Sequence, residues 1–233
     1  MHHFYKEDLE NNAVLGDEEF QHCVHVLRHK VGDHLVLTNG KGMLATAKIK
    51  AISKKMLDFE ITEVRNAPQK AYQTHLFIGP TKQMERMEWM VEKVAELGVD
   101  HVTFLLTQNA ERRKLRLDRL RKKAISALKQ SKGAYLLTLH DQREFEDCFE
   151  GDDKKVIAYV DDQLPHITAA VPRLTDISLF IGPEGDFTEE EVKFAKDRGA
   201  HCVGLGPSVL RTETAGIVAC CAIHLINNSE QGI

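Results

Sequence analysis

Two continuous apolar runs in the C-terminal half constrain the fold of this 233-residue chain more than any other feature. Residues 156–160 read Val-Ile-Ala-Tyr-Val, and residues 177–181 read Ile-Ser-Leu-Phe-Ile. Strands covered on both faces show such unbroken runs, because neither face meets water. Segments with helical periodicity alternate with these strands after about residue 73. The sequence therefore predicts an α/β fold with a parallel sheet and helices on both faces.

The same alternation predicts the other elements of this region. Further strands are expected at 75–79, 101–106 and 201–205, and helices at 82–97, 114–130, 188–198 and 213–226. Thr188 and Glu191 have the spacing of a capping box, so the third of these helices is expected to begin at Thr188.

The first 65 residues follow a different pattern, in which short alternating strands are joined by tight turns. Strands are expected at 34–38, 43–50 and 56–64, with a hairpin turn at Asn39-Gly40-Lys41-Gly42. Several short strands in succession suggest a small barrel. Residues 66–70 lack periodicity and are the best linker candidate, so we expect one domain over 1–70 and a second over 71–233.

The charge, hydropathy and cysteine content of the chain limit its possible binding partners and its cellular compartment. The net charge of −4 argues against indiscriminate nucleic-acid binding, yet residues 112–123 contain eight basic side chains and one acidic one. Such a segment is either a local polyanion site or a solvated helix face. No apolar stretch approaches a membrane span, and the five cysteines lack CxxC spacing. We therefore expect a cytoplasmic protein with reduced thiols, no bound metal and no membrane partner.

Three loops of unusual composition follow predicted strands. They are Gly79–Lys82, Gly182–Phe187 and Gly204–Thr214. Because ligands bind at the carboxyl ends of parallel strands, these loops are candidates for one binding site, although each alone could be a simple tight turn. None contains a phosphate-binding glycine motif. Arg211 could hold an anion in a fork, and Glu213 could be favoured merely by the helix dipole.

The motifs of the chain resemble a known family. IGPEGDFTEE at 181–190 and LGPSVLRTETA at 205–215 are similar to the RsmE-type 16S ribosomal RNA uridine-N3 methyltransferases of the SPOUT class. The segments KQMERMEWMVEKVAELGV at 82–99 and KQS at 129–131 resemble further signatures of that family. His22-x-x-His25-Val-Leu-Arg28 with Val31-Gly-Asp33 resembles its N-terminal RNA-binding module. The resemblance covers essentially the whole chain in the expected order.

The resemblance implies a SPOUT-type sheet with a C-terminal trefoil knot, preceded by a PUA-like β-barrel. It implies a homodimer that transfers a methyl group from S-adenosylmethionine to N3 of one uridine in small-subunit ribosomal RNA, within the assembled 30S subunit. Arg211 and Glu213 are the catalytic candidates. The cofactor-binding candidates are Gly182, Pro183, Glu184, Gly185, Leu205, Gly206, Val209, Leu210, Arg211 and Thr212. The RNA-binding candidates are Arg28, Lys82, Arg112, Arg113 and Ser131.

Two positions depart from the family pattern, and two other functions stay open. The family often has glycine where Asp186 stands, so this carboxylate either affects the cofactor loop or points to solvent. Lys129 precedes the Gln-Ser pair where an acidic residue is common, and Lys132-Gly133 follow it. The alternative functions are methylation of transfer RNA by an enzyme of the same class, and a non-catalytic RNA-binding or ribosome-assembly factor.

Overall fold

A computed structural model describes residues 2–110, 115–161 and 163–228. The chain separates into two compact units. The first contains residues 1–69 together with 125–136, and the second contains 70–124 and 137–233. A division at residue 70, as expected from the sequence, leaves 125–136 in the second part, whereas the contacts of this segment group it with the first.

Five strands form the sheet of the first unit. They are β1 (His3–Tyr5), β2 (Val14–Gly16), β3 (His34–Thr38), β4 (Met43–Ile52) and β5 (Met56–Asn66). Hydrogen bonding orders them β1-β3-β4-β5-β2, with only the β1–β3 pair parallel. Among the described residues these pairs form a row that ends at β1 and β2, so strand pairing does not close the barrel expected from the sequence.

One apolar core fills this unit. Phe4 of β1 and Leu57 of β5 are fully buried in it. A short helix, α1 (Asp17–Phe20), continues without a break into a π-helix (Gln21–Val26), and Phe20 at their junction packs into the same core. The period-2 alternation of the strands therefore reflects a sheet with one buried face.

Helix α3 (Leu117–Gln130) ends in the first unit with a residue in the left-handed conformation. The Gly133 N–H donates to the Leu128 carbonyl at 2.9 Å, and the Lys132 N–H donates to the Lys129 carbonyl at 3.3 Å. These two bonds form a Schellman cap, whose left-handed position is usually glycine. Here Lys132 occupies it with φ of 58°, although Gly133 stands next in the chain.

Replacing Lys132 by glycine should stabilise the protein. A side chain at positive φ costs energy that glycine avoids, so we expect Lys132→Gly to raise the free energy of unfolding by about 0.5–1 kcal/mol. Urea unfolding followed by circular dichroism measures this. Gln130→Gly, in the last turn of α3, is the matched control and should be destabilising. A loss of stability in Lys132→Gly would contradict the assignment of strain.

The second unit is a parallel sheet covered by helices. Its strands are β6 (Thr74–Ile78), β7 (His101–Leu106), β8 (Thr138–Glu144), β9 (Lys154–Ala158), β10 (Ile177–Ile181) and β11 (His201–Val203). Its other α-helices are α2 (Met84–Glu96), α4 (Ile167–Ala170), α5 (Glu189–Asp197) and α6 (Thr212–Asn228), and a 3-10 helix spans Phe145–Cys148. The order is β11-β9-β10-β6-β7-β8, and every pair is parallel.

Both faces of this sheet are buried, as the unbroken apolar runs predict. On one face Phe77 and Phe180 stack with ring centroids 4.7 Å apart, in a core that includes side chains of α5. On the other face α6 packs against α2, β6 and β10. Gly216 allows this approach, because a Cβ there would lie 2.9 Å from Cδ1 of Ile78. The predicted parallel α/β fold is therefore confirmed.

Three histidines lie together on adjacent strands β6, β7 and β8. The ring centroids of His75, His101 and His140 are 5.3–5.4 Å apart. His75 Nε2 is 2.7 Å from Thr103 Oγ1, and His140 Nε2 is 3.2 Å from His101 Nδ1. Burial, followed by the charges of His101 and His140, lowers the pKa of His75 to about 3. Burial also lowers the pKa of His140, so the surroundings of His75 and His140 favour the neutral imidazole.

The stability of the second unit should fall in mild acid. The pKa of His75 is lower in the folded chain than the ordinary value of about 6.5, so the unfolded chain binds more protons below that pH. We expect His75 alone to remove about 1 kcal/mol of stability between pH 6.5 and 5.5. Trp89, the single tryptophan, lies in this unit and reports its unfolding.

The control for this effect is His34, an exposed histidine at the start of β3 in the first unit. His75→Gln should flatten the pH dependence by that amount, whereas His34→Gln should keep the slope of the unchanged protein. Equal slopes in His75→Gln and the unchanged protein would contradict the account.

Candidate functional site

A cavity of about 800 Å³ opens at the carboxyl ends of β9, β10 and β11. Its walls come from three consecutive connections of the second unit and from two helices, α2 and α6. The lining residues are Ala158–Asp161, Leu164, His166, Ile181–Glu184, Asp186, Gly204–Thr212, Ala215, and Arg86 of α2. A volume of this size is typical of a small-molecule site.

The first glycine loop supports this cavity without lining it. The Gly79 N–H donates to the Ile181 carbonyl at 2.9 Å, so the ends of β6 and β10 stay paired. A Cβ on Gly79 would lie 2.5 Å from the nitrogen of Pro183, which leaves room only for glycine. The three loops therefore share one rim of the sheet, but only the second and third form the walls.

Asp186 holds the second loop through its side chain. Its Oδ1 accepts from the Phe187 N–H at 2.8 Å, and its Oδ2 accepts from the Val160 N–H at 3.3 Å, which joins the loop to the end of β9. The Asn109 amide donates to the carbonyls of Gly185 and Asp186 at 3.1 and 3.0 Å. With φ of 57°, Asp186 adopts the conformation that glycine favours. Its carboxylate therefore does not simply point to solvent.

Substitutions of Asp186 test whether the hydrogen bonds of its carboxylate stabilise the second loop. Asp186→Asn tolerates positive φ but keeps only one of the two acceptor oxygens, so we expect it to lose one hydrogen bond and about 1 kcal/mol of stability. Asp186→Ala loses both acceptors and retains the strain, and should lower the free energy of unfolding by about 1–3 kcal/mol. Thermal unfolding of the two variants tests this. Equal stability of the alanine and asparagine variants would contradict the bridging role.

The third loop is tied to the connection between β9 and β10. The Gly204 N–H donates to the Pro165 carbonyl at 2.9 Å, and the Ile167 N–H donates to the Gly204 carbonyl at 3.1 Å. Gly206 follows with φ of 124°, where a residue with a side chain would be strained. These bonds fix the start of the loop, so that residues 204–212 form one wall of the cavity.

A guanidinium from α2 stands between two carboxylates at the cavity. Arg86 Nη1 is 3.5 Å from Glu184 Oε1, and Arg86 Nε is 3.7 Å from Glu213 Oε1. Glu184 belongs to the second loop, and Glu213 lies in the first turn of α6. Arg86 lies within the segment at 82–99 that resembles a family signature, but it was not among the predicted site residues, because the apolar periodicity of that helix indicates core packing. The available signal was the buried acidic residue at the start of an apolar helix, which requires a cation nearby.

Carboxylates outnumber guanidiniums on the cavity walls. Asp161, Glu184 and Asp186 line it with Arg86 and Arg211. Behind this surface lies Glu213, with its side chain 5% exposed and its Oε2 without a hydrogen-bond partner in the described part of the chain. The cavity therefore carries excess negative charge, which suits a cationic ligand and disfavours a polyphosphate.

The structure brings most of the predicted site residues together. Nine of the ten cofactor candidates line the cavity, and Gly185 instead packs against Asn109. Arg211 lines it as an exposed side chain. Glu213 is buried outside the lining, and the guanidinium beside it belongs to Arg86.

The RNA candidates that the structure describes belong to both units. Arg28 is exposed with φ of 60° just after the π-helix, and the Ser131 hydroxyl donates to the Leu128 carbonyl at 3.3 Å, both in the first unit. Lys82 is exposed in the second unit. Arg112 and Arg113 lie outside the described residues.

Part of the predicted basic helix is neutralised within the fold. Arg119 Nη2 is 2.5 Å from Glu88 Oε1, and Lys123 Nζ is 4.0 Å from Glu88 Oε2. Arg116 pairs with Asp118 at 2.8 Å. Charge counted along the sequence therefore overstates what this helix offers to a polyanion.

Two family models match the chain. An RNA methyltransferase domain matches residues 68–224, and an RNA methyltransferase PUA domain matches residues 15–62. The chain is 30% identical to ribosomal RNA small subunit methyltransferase E of Buchnera aphidicola subsp. Acyrthosiphon pisum, over 95% of this chain and 91% of that protein. The Bacillus subtilis protein of the same name is 25% identical over 93% and 91%.

Solved structures agree with this similarity. A probable rRNA-methyltransferase from Porphyromonas gingivalis has a TM-score of 0.92 and 37% identity, covering 98% of this chain and 99% of that one. A protein from Legionella pneumophila, classed as a methyltransferase and solved with the bound cofactor SAM, has a TM-score of 0.86 and 28% identity, covering 97% of each.

The fold, the cavity and these similarities define the chain as a member of the RNA methyltransferase family, within the group of ribosomal RNA small subunit methyltransferase E proteins. The resemblance stated from the sequence is therefore confirmed, and so is the PUA-like character of the N-terminal part. In the described ranges, no helix is long and apolar enough to cross a membrane. Likewise, no group of three or more His, Cys, Asp or Glu residues in those ranges is arranged to hold a metal ion.

Proposed function

We propose that this chain transfers a methyl group from S-adenosylmethionine to N3 of a uridine in small-subunit ribosomal RNA, within the assembled 30S subunit in the cytoplasm. The observation that carries the proposal is the cavity at the carboxyl ends of β9, β10 and β11, in a chain that belongs to an RNA methyltransferase family along most of its length. The negatively charged walls fit a sulfonium donor better than a nucleotide phosphate.

The two wall-forming loops are the proposed cofactor site. Backbone groups of Gly182–Gly185, Leu205–Gly206 and Val209–Thr212 would hold the donor, because glycine lets main-chain amides approach a ligand closely. S-adenosylmethionine supplies an activated methyl carbon when bound. The protein's own task is to orient the uracil and to favour loss of its N3 proton, since a neutral uracil is a poor nucleophile.

Arg211 and Glu213 are the proposed catalytic residues. Arg211 lies on the cavity wall, where its guanidinium could stabilise negative charge on the uracil ring. Glu213 could accept a proton or orient a guanidinium, and its position next to Arg86 favours the second role. The target base must leave its stack to enter, so we expect the protein to recognise RNA shape and phosphates. Arg28, Lys82, Arg112, Arg113 and Ser131 are the proposed contacts.

We also propose that the second unit contains a trefoil knot. β11 is at the edge of the sheet, yet α6, which follows it, packs on β6 and β10 near the centre. The loop between them is hydrogen-bonded to Pro165 and Ile167 of the β9–β10 connection. A chain that returns past this connection to the centre of the sheet supports the knot.

A homodimer is the proposed assembly. Trp89 of α2 and Leu225 of α6 are 46% and 61% exposed, and Val218 of α6 is also exposed. Since α2 and α6 pack on each other, these side chains lie on neighbouring helices of one face. Exposed large apolar residues on adjacent helices are typical of a face that a second copy covers.

Mapping of transferred label tests the reaction directly. The protein is incubated with methyl-labelled S-adenosylmethionine and small ribosomal subunits that lack the modification, and the labelled nucleoside is identified. We expect label at N3 of one uridine in the small-subunit RNA. Label that enters transfer RNA instead would favour the related enzyme class, and no transfer to either RNA would favour a binding protein.

Substitution of the catalytic candidates should lower turnover. Arg211→Lys loses the planar fork and Glu213→Gln loses the buried charge, so we expect turnover to fall at least about tenfold in each. Donor binding is measured in parallel by calorimetry. Arg198→Gln, at the end of α5 where Arg198 stacks on Phe194, is the control and should keep full turnover. Unchanged turnover in both Arg211→Lys and Glu213→Gln would contradict their roles.

A further inference from the structure

The cluster of Arg86, Glu184 and Glu213 contains one positive and two negative groups. Its guanidinium lies 3.5 Å from one carboxylate and 3.7 Å from the other, so both acids share a single cation. Arg86 and Glu184 line the cavity, whereas Glu213 lies behind it. One negative charge in this cluster is therefore uncompensated.

Burial decides which acid keeps the excess charge. The Glu213 side chain is 5% exposed, and a buried carboxylate is costly unless a cation stays beside it. The Glu184 side chain is 33% exposed, so water can solvate it. Arg86 donates to Glu184 at 3.5 Å and forms an ion pair with Glu213 at 3.7 Å, so the two acids share its charge. The excess negative charge therefore falls on the more solvated acid, Glu184 on the cavity wall.

Methyl transfer changes the charge of the ligand that this wall would face. The sulfur–carbon bond breaks, its electron pair stays on sulfur, and a cationic sulfonium becomes a neutral thioether. N3 gains the carbon and releases its proton to solvent. An uncompensated carboxylate stabilises a bound cation more than a bound neutral molecule of the same shape.

We propose that Glu184 is the specificity-determining residue by which the cavity prefers the sulfonium donor over its thioether product, and that Arg86, backed by buried Glu213, is its positioning residue. The inference rests on the proposed function, because it assumes a sulfonium donor in this cavity. Arg86 joins the second loop to the start of α6 and limits the orientations that Glu184 can adopt. The preference helps product to leave while donor is abundant.

The first test compares two dissociation constants. Isothermal titration calorimetry gives Kd for S-adenosylmethionine and for S-adenosylhomocysteine with the full-length protein. Glu184→Gln should weaken donor binding about five- to tenfold and change product binding less than about twofold, as expected for one partly screened charge. Glu190→Gln removes the same charge from the first turn of α5, outside the cavity, and should change neither constant.

The second test asks whether Arg86 acts through Glu184. Arg86→Gln should reduce the donor-to-product preference, and Arg86→Lys should restore part of it. The double variant Arg86→Gln/Glu184→Gln should show no smaller preference than Glu184→Gln alone, because the two effects share one carboxylate. Equal weakening of donor and product in Glu184→Gln, or no change in either, would overturn the inference, as would additive effects in the double variant.

A methylation assay of the unchanged protein distinguishes failure of this inference from failure of the proposed function. If that protein methylates ribosomal RNA and Glu184→Gln keeps the unchanged preference, only the inference fails. If the unchanged protein binds neither ligand and transfers no methyl group, the proposed function fails, and the inference falls with it.

Discussion

The parallel pairing of β6, β9, β10 and β11 is the constraint on which the cavity depends. Parallel strands end at the same edge, so connections that lie far apart in sequence meet there. The register places Ile78 beside Ile181 and Ala158 beside both Ile181 and Val203. Each loop begins at a buried strand end and therefore has little freedom at its start. Hydrogen bonds then fix the walls. One joins Asp186 to the residues that follow β9, and two others join Gly204 to the β9–β10 connection.

The charged residues on the cavity walls determine which ligand charge the cavity favours. A sheet edge built from glycine and apolar residues provides shape, but it does not select a ligand by itself. The excess of carboxylates over guanidiniums on the walls selects for positive charge, and the buried Glu213 extends that excess beneath the surface. Arg86 stabilises the buried carboxylate of Glu213 and also lines the cavity. Stability and ligand preference are thus coupled through one side chain of α2.

Sequence patterns predicted the elements whose local residue preferences match their place in the folded chain. The bounds of β7 and β10 were predicted correctly, and the capping box of Thr188 and Glu191 is present. The apolar run at 156–160 marks β9, but that strand begins and ends two residues earlier, at Lys154–Ala158. Strand β8 was missed because Thr138–Glu144 is polar and mostly exposed at the sheet edge. The loops were found by composition, but Arg86 was not, since its role depends on a partner 127 residues away. The grouping of residues 125–136 with the first unit is likewise a tertiary property.

A crystal structure of the protein grown with S-adenosylmethionine is the most direct measurement of the central claim. We expect donor density between residues 182–186 and 204–212, with Arg86 and Glu184 on the adjoining wall. Donor density elsewhere on the sheet, for example beside His75 and His101 at the amino-terminal ends of β6 and β7, would contradict the proposed cofactor site. A protein that stays unliganded at saturating donor would contradict it as well.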